Sequence, residues 1–168
     1  MPSYITAYAI LPEPTKADQV LADFKRWREL SGVSCLEECN VIFNDSGDIE
    51  REPELVSSEE DGLNRLFEWP TLGGMGFSLS GHKIFVSFRG ETPHHVDVIT
   101  MSMNSKLYVF HPDIRRSFEE TVARLHQIFK SKRTVVDYDL LSPASWLKKE
   151  VEKVRSGVFE GRYALDLR

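Results

Sequence analysis

The chain has 168 residues, 41% of them hydrophobic and 28% charged, the balance of one soluble globular domain with a single core. No apolar run approaches the roughly 18 residues of a membrane span, and the start Met-Pro-Ser-Tyr-Ile lacks the basic region and cleavage site of a signal peptide. With net charge −5 and two cysteines, Cys35 and Cys39, too few for a disulfide framework, the expectation is a cytoplasmic protein in a reducing compartment.

The run from Tyr4 to Leu11 is almost continuously apolar and predicts a central strand covered on both faces. Pro12 and Pro14 are expected to stop it, and Thr15 to cap a helix over 16–30. Val20, Phe24 and Trp27 share one face of that helix, and Gly32 ends it. Residues 33–43 read as a strand, 44–47 as an Asx-and-glycine turn, and 48–53 as an edge strand or loop. Ser57 or Ser58 caps a short helix with Leu63, Leu66 and Phe67 on its apolar side. The glycines of Thr71–Gly76 predict a flexible stretch.

The segment from Phe77 to Phe110 organises the rest. Phe77–Ser80, Lys83–Arg89, His95–Met103 and Lys106–Phe110 read as four short strands of an antiparallel meander. Ser117 with Glu120 reads as a capping box opening a helix over 117–130. A short strand over 134–141, a helix over 143–156 started by Ser142-Pro143, and a strand over 162–167 complete the chain. The expected fold is α+β. Residues 1–168 form a single domain, a mainly antiparallel β-meander sheet of five to seven strands covered by about three helices.

No stretch carries a specific catalytic, metal or nucleotide motif. Cys35 and Cys39 have no partner pair at zinc spacing and read as packed thiols, so no metal is expected. Ser78 and Ser80 lack the flanking glycines of a nucleophile elbow, and Gly73, Gly74 and Gly76 precede no Lys-Ser/Thr of a phosphate loop. No cofactor is expected. His95 and Asp97 share a strand face, where the carboxylate would orient an imidazole. With His111 or Cys35 they make the alternative reading, a small hydrolase-like enzyme. A non-catalytic subunit of a larger assembly is a further alternative.

Charge is the most distinctive global feature. Between Glu37 and Glu68 stand eleven acids and two bases, Arg51 and Arg65, a local charge of −9 that leaves +4 for the remainder. Such a segment repels nucleic acid and anionic membrane and steers basic partners toward itself. The candidate partner-binding residues are Glu50, Glu52, Glu54, Glu59, Glu60 and Asp61. Lys130, Lys132, Arg133, Lys148, Lys149, Lys153 and Arg155 gather around the last two helices as a second, basic patch for an acidic partner. Without stacking aromatics beside them, they do not predict nucleic-acid binding.

In size, acidity, the meander Phe77–Phe110 and the helix that follows it, the chain resembles small bacterial immunity proteins of polymorphic toxin systems. These share no diagnostic motif, so no residue role carries over. The resemblance implies a tight protein partner, a cognate toxin whose active site is blocked.

Overall fold

The computed structural model describes residues 4–36, 38–44, 52–138 and 144–168, with the backbone alone over 144–146. Among these residues the strands are β1 (Tyr4–Lys16), β2 (Ser34–Cys35), β3 (Asn40–Phe43), β4 (Glu54–Leu55), β5 (Gly73–Leu79), β6 (His82–Arg89), β7 (His95–Asn104), β8 (Arg133–Tyr138) and β9 (Leu165–Leu167). The helices are α1 (Ala17–Ser31), α2 (Glu59–Glu68), α3 (Ser105–Phe110), α4 (Pro112–Phe129) and α5 (Ala144–Arg155). All nine strands join one antiparallel sheet of order β4-β3-β5-β6-β7-β1-β8-β9, with β2 pairing the far half of β5. This is the α+β class and antiparallel meander that the sequence predicts.

Strand alternation sorts the sheet into two faces. On one, Ile5, Ala7 and Ala9, Met75 and Phe77, Val86 and Phe88, and Ile99 and Met101 are buried under α1, α2 and α4. Phe24 of α1 sits at the centre of that layer, its ring 5.5 Å from Trp27, 5.5 Å from Phe77 and 5.3 Å from Phe88. On the other face α5 lays Leu147, Val151 and Val154 over Tyr8, Ile10, Val98 and Val135. β1 is therefore covered on both sides, as its continuous apolar run requires.

Several local expectations are overturned. Pro12 and Pro14 do not end β1. Its register with β7 breaks between Ile10 and Thr15, and the prolines lie in that irregular stretch, where no ladder donor is demanded of them. Thr15 does not cap α1; its hydroxyl donates to the Glu13 carbonyl at 3.1 Å. Lys106–Phe110 belongs to helix α3 rather than to a strand. The helical turn aims Tyr108 inward against Phe118 and Tyr138, with its hydroxyl donating to Glu119 at 2.7 Å.

Helix α4 begins at Pro112, five residues before the expected capping box, because proline suits the first helical turn. Ser117 is interior, its carbonyl accepting the Thr121 hydroxyl at 2.7 Å. Thr71–Gly76 is not a flexible loop, since Gly73 to Gly76 run inside β5. A Cβ on Gly73 would fall 2.0 Å from the Ile42 carbonyl oxygen, and one on Gly74 2.6 Å from the Phe85 ring. These glycines permit close strand approach, not motion.

Residues 33–43 form two short strands, not one. The break between β2 and β3 brings the Cys35 and Cys39 Cα atoms to 6.4 Å, and the two sulfurs are joined as a disulfide rather than packed as thiols. The expected turn at 44–47, the edge strand at 48–53 and the helix start at Ser142-Pro143 fall wholly or largely outside the described residues.

Candidate protein-binding edge

The described part of the acidic segment, 38–44 and 52–68, lies at one edge of the sheet. β4 is the outermost strand beside β3, with Asn40 opposite Leu55 and Val41 opposite Glu54. The chain then turns through Val56, whose N–H donates to the Cys39 carbonyl at 2.9 Å, into α2. Ser58 caps α2, accepting from the Asp61 N–H at 3.1 Å, while the Asp61 carboxylate lies 3.4 Å from the Ser57 N–H. Glu59, Glu60 and Asp61 thus occupy the first turn, where the helix dipole favours carboxylates.

The six candidate carboxylates divide by what they touch. Glu59 pairs with Arg28 of α1 at 2.7 Å, pinning α2 against α1. Arg65 reaches Glu54 of β4 and Asp61 one turn earlier, the latter at 3.6 Å. Glu52 and Glu60 are exposed, with no ion pair to another described residue. Glu50 lies outside the described residues. Leu55 has 68% of its surface exposed, and Ile42, on the same sheet face, is also exposed. Val41, opposite Glu54, is buried, so Glu54 and the carboxylates of α2 lie on the helical face of this edge, and Leu55 and Ile42 lie on the other. Edge strands offer unpaired backbone groups to a further chain.

The residues of the alternative enzyme reading do not converge. His95 opens β7 and its Nδ1 lies 3.0 Å from the Pro93 carbonyl. Asp97 accepts from the Arg155 guanidinium at 2.8 Å and from the Glu91 N–H at 3.0 Å, so its carboxylate holds α5 and a turn rather than an imidazole. His111 follows α3 beyond the opposite end of β7, a strand about 30 Å long. Cys35 is in the disulfide. Among the described residues no group of three or more His, Cys, Asp or Glu could hold a metal ion.

The expected basic patch is also dispersed. Arg133 is fully buried, Arg155 holds Asp97, Lys148 and Lys153 meet Glu91 and Glu160, and the Lys132 ammonium donates to the Arg155 carbonyl. Sequence reasoning missed the buried network around Arg133. Its partners Glu150 and Asp166 lie on later elements, and the only local signal is one arginine opening an apolar strand. No helix among the described residues is long and apolar enough to cross a membrane.

No protein-family model matches the chain, and no curated protein matches it. Among solved structures it is similar to the Pseudomonas aeruginosa T6SS protein PA0821, at a TM-score of 0.41 and 10% identity over 93% of this chain and 46% of that one. The chain spans under half the length of that protein, and a likeness this loose carries no argument about function.

Proposed function

We propose that the chain is a protein-binding module of the inhibitor type, a cytoplasmic immunity protein that binds and blocks a cognate toxin through the acidic edge. The observation that carries the reading is the edge itself, where Leu55 is 68% exposed on the outermost strand and Glu60 is exposed in the first turn of α2 on the other face of the sheet. A partner that adds to this edge would meet apolar area on one face and carboxylates on the other. In the docked state Glu50, Glu52 and Glu60 meet basic groups of the partner directly. Glu54, Glu59 and Asp61 already hold Arg65 and Arg28, and they present the rest of the negative field while keeping α2 in place.

The test is co-expression with the product of a neighbouring toxin-like gene, followed by size-exclusion chromatography and stopped-flow association. A stoichiometric complex is expected. Glu52→Lys/Glu60→Lys should slow association about tenfold at low salt and much less at high salt, since rim charges act through encounter. Leu55→Asp should speed dissociation. Unchanged kinetics in all of these variants would remove the acidic edge from the interface. A disulfide is unusual in a reducing cytoplasm, so the redox state of Cys35 and Cys39 in cells tests the localisation separately.

A further inference from the structure

On the helical layer, away from β4, α1 and α4 lie side by side. The Trp27 indole Nε1 of α1 donates to the Thr121 carbonyl of α4 at 3.1 Å, which fixes their contact. Beside that contact a cavity of about 450 Å³ opens to solvent, lined by Arg26, Leu30, Arg124, Gln127 and Ile128. Each helix contributes the same pair, an arginine and an aliphatic residue four positions later, so both lie on one flank of their helix. Leu30 is 60% exposed.

The two guanidinium groups have no ion pair or hydrogen bond to another described residue. Arg28, two positions from Arg26, holds Glu59 instead. Both guanidiniums are exposed and line one groove, so an anion bound there meets two positive charges. A planar carboxylate matches the guanidinium fork, accepting parallel hydrogen bonds from either arginine. The aliphatic lining adds a second requirement, because an inorganic anion leaves Leu30 and Ile128 in water. A ligand that satisfies the whole groove carries a carboxylate and an apolar group a few ångströms apart.

We propose that the α1–α4 groove docks an acidic peptide segment of a protein partner, with a Glu or Asp carboxylate between Arg26 and Arg124 and an apolar side chain against Leu30 and Ile128. The opposite sign of charge makes this a different surface from the acidic edge, and the inference does not rest on that reading.

The test is fluorescence anisotropy of a labelled peptide of alternating glutamate and leucine, with the lysine-leucine peptide as control and inorganic phosphate as competitor. Saturable binding of the acidic peptide is expected, weakening as salt rises. Arg26→Glu/Arg124→Glu should weaken it at least about tenfold and Leu30→Ser a few-fold. All three positions are on the helix surface, and unchanged thermal unfolding checks that the variants fold. No binding at millimolar peptide, or equal binding by the double variant, overturns the proposal. So does displacement by phosphate at equal concentration, which would mark a simple anion site.

Discussion

Arg133 and Asp166 meet through two parallel hydrogen bonds, Nε to Oδ1 at 2.9 Å and Nη2 to Oδ2 at 2.8 Å. The same guanidinium, fully buried, donates from Nη1 to Glu150 at 3.2 Å and to the Glu160 carbonyl at 2.9 Å. Its flat faces lie 5.0 Å from the Tyr163 ring and 5.7 Å from the Phe159 ring. One side chain of β8 therefore ties down α5, the loop after it and β9.

Removing that side chain strands its partners. Glu150 is 6% exposed and would be left buried and charged. Arg133→Ala should cost roughly 3–5 kcal/mol, the usual effect of breaking a buried pair. Arg133→Met with Glu150→Met should recover much of the loss by filling the space with apolar volume. Urea midpoints at constant slope would measure both. A double variant no better than Arg133→Ala would mean that the loss lies with Asp166, the Glu160 carbonyl or shape rather than with the Glu150 charge.

Two groups make stability fall in acid at different points. Burial lowers the pKa of His126, whose Nδ1 lies 2.8 Å from the Thr134 hydroxyl, from its ordinary 6.5. Its neutral form is favoured in the fold, so its contribution is full above 6.5 and is lost as pH falls toward the folded-state value. The hydrogen bonds from Arg133 lower the Asp166 pKa from its ordinary 3.8. Its contribution is full above 3.8 and is lost as pH falls through the folded-state value. Melting temperature followed from about pH 8 to about pH 3 should decline in two stages. His126→Gln should flatten the first and Asp166→Asn the second; a first stage unchanged by His126→Gln would locate it elsewhere.

Gly74→Ala should destabilise by roughly 1–3 kcal/mol, the range for overpacking. The added Cβ would lie 2.7 Å from the Val86 carbonyl oxygen as well as against the Phe85 ring, and backbone cannot step aside as a side chain can. Gly74→Ala combined with Phe85→Ala relieves the ring contact alone. If the pair regains wild-type stability, the backbone contact is harmless.

Trp27 is fully buried, and Trp27→Ala should cost roughly 3–5 kcal/mol. Trp27→Phe keeps most of the packing but leaves the Thr121 carbonyl without its donor, a loss of roughly 1–3 kcal/mol. Thermal unfolding distinguishes the two substitutions. An unaffected fold in Trp27→Ala would contradict the central place of α1.

The elements readable from sequence are those whose period repeats over several turns or pleats. Val20, Phe24 and Trp27 repeat on one face of α1, and Ile84, Val86 and Phe88 repeat on one face of β6. Lys106–Phe110 is too short for either period to declare itself, and the inward pull of Tyr108 on Phe118 and Tyr138 decides for helix. At α4 two start signals compete, Pro112 and the Ser117–Glu120 box, and the proline wins because nothing breaks the helix between them. Glycine content in β5 suggests mobility, yet the reason for it lies across the sheet in Ile42 and Phe85, which no local window contains. The acidic edge shows the same limit. Composition displays the charge, but only the fold shows that Arg28 and Arg65 neutralise part of it.

The sheet order also bears on how the chain reaches this state. Ile5 of β1 finds Met103 on one side and Tyr138 on the other, and among the described residues no strand nearer in sequence pairs with β1. During synthesis β1 therefore waits, with both hydrogen-bonding rims empty and an apolar surface on each side, until β7 and then β8 arrive. Closing such long loops is slow and leaves a sticky strand exposed meanwhile. The strand at the centre of the finished sheet is thus an aggregation-prone part of the nascent chain. Substitutions that delay β7 should lower soluble yield out of proportion to their effect on the stability of the folded protein.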